Sequence, residues 1–228
     1  MSDYAAMERF GTGPLSRGAA MVYTLLVTEF LLLLTSAPGL VPLLLLGRDA
    51  SNLPLAAACL LPAVPAVSAA VYALHRRRLD LTDLHPAAAF WRGYRLNAGS
   101  ALRVGVPWLA LLAIVAMTVA HRGAAGVPGW WTVLLVVIAV AATLWAANAL
   151  VITSLFAFRS VDVARLAAWF LGRTPKVTAG NLCLLITAAA VTAYATEAML
   201  AVAASAFVLL LVLNARPLID HVREEFTQ

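Results

Sequence analysis

Residues 130–156, WWTVLLVVIAVAATLWAANALVITSLF, decide the fold, because they form an apolar stretch without a single charged side chain. An α-helix needs about 20 apolar residues to cross roughly 30 Å of hydrocarbon. In lipid a helix also satisfies its backbone N–H and C=O groups internally, which an irregular segment cannot do. The stretch therefore predicts a transmembrane helix, with the rings of Trp130 and Trp131 at a membrane interface.

The composition of the whole chain leads to the same class of protein. Of its 228 residues 63% are hydrophobic and 12% are charged, and the mean hydropathy is +0.90. A soluble domain is roughly half apolar and about a quarter charged. We therefore predict an all-α polytopic membrane helix bundle. The net charge of +5 does not indicate nucleic-acid binding, because no folded polar domain remains to carry it.

Apolar stretches of suitable length predict about six transmembrane helices in a single domain, residues 1–228. Their approximate ranges are 19–36, 55–74, 104–120, 130–156, 179–194 and 197–213. Residues 179–213 would measure about 50 Å as one helix, so we divide them near Tyr194 to Glu197. One long tilted helix is the alternative. Residues 40–46 contain Pro42 and are too short to cross, so they are predicted to lie on the surface or to re-enter the membrane.

The second predicted span carries two prolines, Pro62 and Pro65. A proline inside a helix removes a backbone hydrogen bond and bends the helix. Within a membrane this is tolerated where neighbouring groups satisfy the freed carbonyls. We therefore expect the second span to be bent.

The basic residues assign a direction to the six spans. Lys and Arg in short loops stay on the cytoplasmic side of a membrane. With the amino terminus inside, only Arg48 and Arg122 of the 16 basic residues would lie outside. A five-span chain would add Arg216 and Arg223 to these exceptions. The charges therefore predict a multi-pass protein with both termini in the cytoplasm.

A first interfacial helix is predicted at residues 86–100, between the second and third spans. The aromatic residues Phe90, Trp91 and Tyr94 lie along it, and Arg95 follows Trp91 by about one helical turn. On such a helix the rings enter the headgroup region while the arginines face phosphate. The segment is therefore a candidate surface for contact with lipid or with a partner.

A second interfacial helix is predicted at residues 160–172, between the fourth and fifth spans. Val163, Leu166, Ala167 and Phe170 form an apolar stripe with the spacing i, i+3, i+4, i+7. The candidates for contact with lipid or a partner on this segment are Arg165, Trp169, Phe170 and Arg173. The two helices either dock a cytoplasmic partner or anchor the protein in the lipid bilayer, and the sequence leaves both interpretations open.

Three polar residues inside predicted spans are candidate site residues: Glu29, Asn148 and Asn181. An ionisable group at the centre of a bilayer is costly, so it usually faces a cavity or a partner. Glu29 is therefore either a contact for a proton or a substrate, or a hydrogen-bonded residue that holds helices together. Asn148 and Asn181 are expected to form interhelical hydrogen bonds, which are commoner than ligand contacts.

No constellation of catalytic residues is recognisable in the sequence. It has no Gly-rich phosphate loop, no His-Glu-x-x-His motif and no Gly-x-Ser-x-Gly motif. Cys59 and Cys183 lie in apolar runs and lack the spacing of a zinc site. We therefore expect no enzymatic activity, no cofactor and no metal site.

Four motifs follow one another along the chain. They are MERFGTGPLSR at 7–17, the second span with its two prolines, FWRGYRLN at 90–97 and GRTP at 172–175. Together they resemble the YesL-like family of bacterial integral membrane proteins. The chain departs from the family pattern between Pro38 and Pro54, where its loop is longer.

The resemblance implies an accessory role in a bacterial plasma (inner) membrane. Members of the family look like proteins encoded near carbohydrate ABC importers and sugar-degrading enzymes, and they offer no catalytic or binding residues to carry over. The resemblance thus implies a non-enzymatic accessory or regulatory component of carbohydrate uptake, with sugar ABC transporter subunits as partners. The alternative is a small independent transporter or channel with Glu29 lining its path.

Overall fold

A computed structural model describes residues 14–47, 49–77, 85–123, 128–194 and 197–226. In these ranges the chain forms ten α-helices and a short 3₁₀ turn at Ala50–Asn52, without any β-strand, which confirms the predicted all-α class. The helices are α1 (Pro14–Leu45), α2 (Leu53–Cys59), α3 (Ala63–His75), α4 (Pro86–Ala120), α5 (Gly129–Leu155), α6 (Ser160–Arg173), α7 (Pro175–Tyr194), α8 (Glu197–Val202), α9 (Ala204–Asn214) and α10 (Arg216–Phe226).

Four helices, α1, α4, α5 and α7, are each long and apolar enough to cross a membrane. Bent helix pairs raise the number of crossings to as many as six. One such pair is the segment Ala50–Cys59 followed by α3, with 41° between them, and another is α9 followed by α10, at 49°. Helix α10 carries Arg216, Asp220 and Arg223, which hydrocarbon disfavours. We therefore assign the last crossing to α8 and α9 instead.

Successive crossing segments run in opposite directions, so the described chain begins and ends at the same end of the bundle. Thr24, in the first half of α1, lines a cavity. Arg76, which follows α3, and Arg92, near the start of α4, line the same cavity. Helices α6 and α10 contribute side chains to one apolar cluster at this end. We call it the arginine-rich end, because it carries Arg76, Arg77, Arg92, Arg95, Arg165, Arg173, Arg216 and Arg223.

Helix α1 is longer than the first span predicted at 19–36, and it also corrects the expectation for residues 40–46. It continues through Pro38 and Pro42 to Leu45, so residues 40–46 are not a separate surface or re-entrant segment. Within this continuous helix, Gly39 packs closely against α2. A Cβ atom there would overlap the carbonyl oxygen of Cys59, so only glycine lets α1 lie against α2.

The second span is broken, as its prolines led us to expect. Helix α2 ends at Cys59 and α3 begins at Ala63 after a turn through Leu60, Leu61 and Pro62. The backbone N–H of Ala63 still donates to the carbonyl of Leu60 at 3.1 Å, so part of the turn remains hydrogen-bonded. Pro62 immediately precedes α3 and Pro65 is its third residue, and both are tolerated because the first N–H groups of a helix have no intrahelical acceptor.

Helix α4 is continuous, which corrects the prediction of a separate interfacial helix at 86–100. It extends without a break from Pro86 to Ala120 and includes Pro107. Its first half packs against α3, where a Cβ atom at Gly93 would lie only 2.8 Å from Cβ of Tyr72. Tertiary packing thus holds residues 86–100 in the bundle, whereas their aromatic content alone suggested a membrane surface.

Residues 179–213 form separate helices, which excludes the alternative of one long helix. Helix α7 ends at Tyr194 and α8 begins at Glu197. Helix α9 then returns alongside α7, and Asn214 donates a side-chain hydrogen bond to the Val177 carbonyl at 2.8 Å.

Helix α10 is an element that the sequence-based prediction lacks. Its apolar residues Leu218, Ile219 and Val222 are each at most 2% exposed. They pack into one cluster with residues of α5 and α6, among them Ile152 and Val163. Helices α6 and α10 therefore form a layer across the arginine-rich end, with their apolar faces turned into the protein.

Candidate functional site

Glu29 lies inside the bundle, and its carboxyl group contacts the last crossing segment. The residue is 9% exposed. Its Oε2 atom accepts a hydrogen bond from the backbone N–H of Ser205 at 2.6 Å. Because the two residues are 176 positions apart, this bond joins α1 to α9 as a tertiary contact.

The bond forms at an interruption between α8 and α9. Ala203 departs from helical geometry, with φ −99° and ψ 7°, and the helix restarts at Ala204. The N–H groups in the first turn of a helix lack intrahelical acceptors, and the positive end of the helix dipole favours a carboxylate. Glu29 supplies the acceptor for Ser205, so the interruption persists without an unsatisfied N–H at that position.

Several buried oxygens of α1 have no hydrogen-bond partner among the described residues. They are Oε1 of Glu29, Oγ1 of Thr28 and Oγ of Ser36. An unsatisfied polar atom in apolar surroundings is costly. Oε1 of Glu29 is therefore able to accept a further hydrogen bond. Oε2 has a structural role, because it accepts the bond from Ser205.

Asn148 and Asn181 hydrogen-bond to each other across α5 and α7, which is the interhelical role expected of them. Asn181 Nδ2 donates to Asn148 Oδ1 at 3.1 Å. A third member, Asn214, lies at the end of the last apolar run and was not predicted from the sequence. Asn214 Nδ2 donates to Asn181 Oδ1 at 2.8 Å. This asparagine ladder connects α5, α7 and α9, and a side chain at Gly180 would displace Asn214 from it.

Phe90 and Phe170 are core residues, which corrects their assignment to a docking or lipid-interface surface. They are 0% and 1% exposed. Phe90 belongs to a cluster with Leu74 of α3, and Phe170 to one with Leu218 of α10. Each helix buries its most apolar face against a neighbouring helix, because that removes more apolar surface from water than an interfacial position does.

Trp91 and Arg95 remain at the surface of α4. The Trp91 side chain is 40% exposed. Tyr94 is half-buried, with its ring centroid 5.8 Å from that of Trp91 in an edge-on arrangement. Trp91, Arg92 and Arg95 line an open groove with a volume of about 610 Å³.

The outer face of α6 carries a second exposed set of candidate residues. Val161, Arg165 and Trp169 follow one another at i, i+4, i+8, so they share one face of the helix. Val161 is 62% and Trp169 63% exposed. Arg165 and Arg173 are exposed as well. The structure thus separates the predicted interfacial residues into a buried pair, Phe90 and Phe170, the half-buried Tyr94 and an exposed set.

A large apolar cavity lies at the opposite end of the bundle, between α1, α2 and α8. Its volume is about 820 Å³. Leu33, Leu40, Ala56 and Val202 are among the residues that line it. Leu33 follows Glu29 by one turn of α1, so the cavity extends toward the interruption between α8 and α9.

Comparisons with protein-family models, with curated proteins and with solved structures found no match. In the part of the chain that the structure describes, no group of three or more His, Cys, Asp or Glu side chains is arranged to hold a metal ion.

Proposed function

We infer that the protein is a non-enzymatic accessory component of carbohydrate uptake in a bacterial plasma membrane. In this proposal it binds subunits of an ABC-type sugar importer through its arginine-rich end, which faces the cytoplasm with both termini. The placement of basic residues supports that direction, because Lys and Arg in short loops are retained in the cytoplasm. The sequence motifs that resemble the YesL-like family support the association with sugar uptake.

The observation that carries the proposal is that Trp169 is exposed on α6, while the opposite face of this helix is buried in the protein. Trp169 is 63% exposed, whereas Val163 and Ala167 on the inner face of α6 are at most 1% exposed. Tryptophan and arginine are enriched at the energetic centres of protein interfaces. A rigid helix that presents Trp169 between Arg165 and Arg173 has the composition of such a surface.

A photo-crosslinking amino acid at position 169 should capture an importer subunit in cells that grow on a carbohydrate. The matched control is position 130 at the opposite end, because Trp130 is similarly exposed, at 62%. We expect a protein adduct from position 169, identified by mass spectrometry, and none from position 130. Adducts to lipid alone at both positions would favour membrane anchoring and contradict the proposal.

A second candidate function is a small transporter, and the large cavity at the opposite end favours it. Leu33 and Val202 line this cavity. Leu33 follows Glu29 by about one helical turn, and Val202 precedes Ser205, the partner of Glu29, by three residues. The unsatisfied Oε1 of Glu29 would then face a proton or a solute. A Glu29→Gln variant that folds normally and transports every tested solute at the wild-type rate would remove the support for this candidate.

A further inference from the structure

A cavity at the arginine-rich end is lined with positive charge, and it shares Arg92 with the neighbouring groove beside Trp91. It lies where α1, the end of α3 and the start of α4 meet, and its volume is about 380 Å³. The polar residues that line it are Thr24, Tyr72, Arg76, Arg77, His85 and Arg92.

Three guanidinium groups converge on this cavity from two elements. Arg76 stacks on the ring of Tyr72, with 4.7 Å between its Cζ atom and the ring centroid. Arg77 is partly buried and donates one hydrogen bond, from Nη1 to the Leu74 carbonyl, at 2.6 Å. Burial and the nearby Arg216 lower the pKa of Arg77 from its ordinary value. Arg216, which lies outside the cavity, therefore adds to the positive potential at Arg77.

The amino-terminal turn of α4 adds to the positive potential. Pro86, Ala88 and Ala89 line the cavity, and they belong to the first residues of this long helix. The first turn of α4 contains no acidic residue that would neutralise the helix dipole. The amino-terminal end of a helix attracts anions, phosphate in particular, through its backbone N–H groups and its dipole.

We propose that this cavity binds the phosphate group of an anionic ligand. Arginine is suited to this role because its planar guanidinium donates paired hydrogen bonds to phosphate oxygens. The ligand is either the headgroup of an anionic phospholipid or free phosphate. Basic pockets between transmembrane helices bind anionic lipid headgroups, and this cavity lies at one end of such helices, where a headgroup can reach it.

The test is binding of two probes to the full-length protein in a zwitterionic detergent. Short-chain phosphatidylglycerol and inorganic phosphate are titrated separately, with short-chain phosphatidylcholine as the neutral reference lipid. The variant Arg76→Gln/Arg92→Gln removes two charges that line the cavity. Its matched control, Arg95→Gln/Arg103→Gln, removes two exposed charges from α4 outside the cavity.

We expect the wild-type protein to bind at least one anionic probe, and the Arg76/Arg92 variant to lose about 10- to 30-fold in affinity. The control variant should stay within about twofold of the wild type. Saturable binding of phosphatidylglycerol without competition by phosphate assigns the site to lipid, whereas binding of inorganic phosphate with competition assigns it to the free ion.

Two results would overturn the proposal. The first is equal loss of affinity in both double variants, since the effect would then come from net charge. The second is no binding of either anionic probe to the wild type. If the double variant does not fold, Arg92→Gln alone replaces it, because Arg92 is exposed. Its affinity should still fall below that of Arg95→Gln.

Discussion

Replacing Glu29 with Ala should lower the free energy of unfolding by about 2–4 kcal/mol. The substitution leaves the N–H of Ser205 without its acceptor at the interruption between α8 and α9, and such a loss costs about 1–3 kcal/mol. It also leaves a void where a nearly buried side chain stood, which adds to the cost. Thermal unfolding of the purified protein in detergent measures the change.

Two further variants test whether the loss of stability comes from the missing acceptor for Ser205. Glu29→Gln keeps an oxygen acceptor for Ser205, so it should unfold close to the wild-type temperature. Thr28→Val removes a buried hydroxyl that has no partner among the described residues, so it should be neutral or slightly stabilising. Wild-type stability of Glu29→Ala would show that the bond to Ser205 does not hold α1 against α9.

Replacing Gly39 with Ala should separate α1 from α2 and destabilise the protein by about 1–3 kcal/mol. An added Cβ atom would overlap the Cys59 carbonyl oxygen and would lie 3.1 Å from Cδ of Pro62. Neither atom belongs to a flexible side chain, so the clash can be relieved only by moving a helix. The measurement is again thermal unfolding in detergent, together with the yield of monodisperse protein.

The matched control for Gly39 is Gly99→Ala on α4. Gly99 is also inside a helix, but a Cβ atom there would meet nothing within 4 Å. Alanine is the better helix former, so Gly99→Ala should stabilise the protein by about 0.5–1 kcal/mol. The two substitutions add the same methyl group and should change stability in opposite directions. Equal effects would contradict the close approach of α1 and α2.

Hydrophobicity and proline placement predicted much of the fold, because both act locally. The apolar run at 130–156 corresponds closely to α5, and Pro62 lies where the second span breaks. The stripe of Val163, Ala167 and Phe170 correctly indicated α6. The sequence could not show what that stripe would pack against. In the structure the stripe packs against the protein's own core rather than lipid.

The errors arise where tertiary contacts override local signals. Gly39 packs against Cys59 and α1 continues past Pro38, although Pro-Gly usually ends a helix. Phe90 is buried against α3, although its neighbours Trp91 and Arg92 are typical of a membrane interface. For Glu29, the sequence left a structural and a functional role open. Its partner Ser205 could not be foreseen, since no local pattern connects residues so far apart.

The direction of the bundle in the membrane is the premise of the proposed function, and cysteine labelling tests it most directly. A chain with Cys59 and Cys183 replaced by Ala would carry one new cysteine at a time. The exposed positions are Leu15→Cys, Gly172→Cys and Glu225→Cys at the arginine-rich end, and Gly123→Cys at the opposite end. An impermeant maleimide is added to spheroplasts, which lack the outer barrier, before and after the membrane is permeabilised.

We expect Gly123→Cys to react in intact spheroplasts, and the other three cysteines to react only after permeabilisation. That result would place the arginine-rich end and both ends of the described chain in the cytoplasm, where importer subunits could bind Trp169. Labelling of Gly172→Cys in intact spheroplasts, or opposite behaviour of Leu15→Cys and Glu225→Cys, would contradict the account.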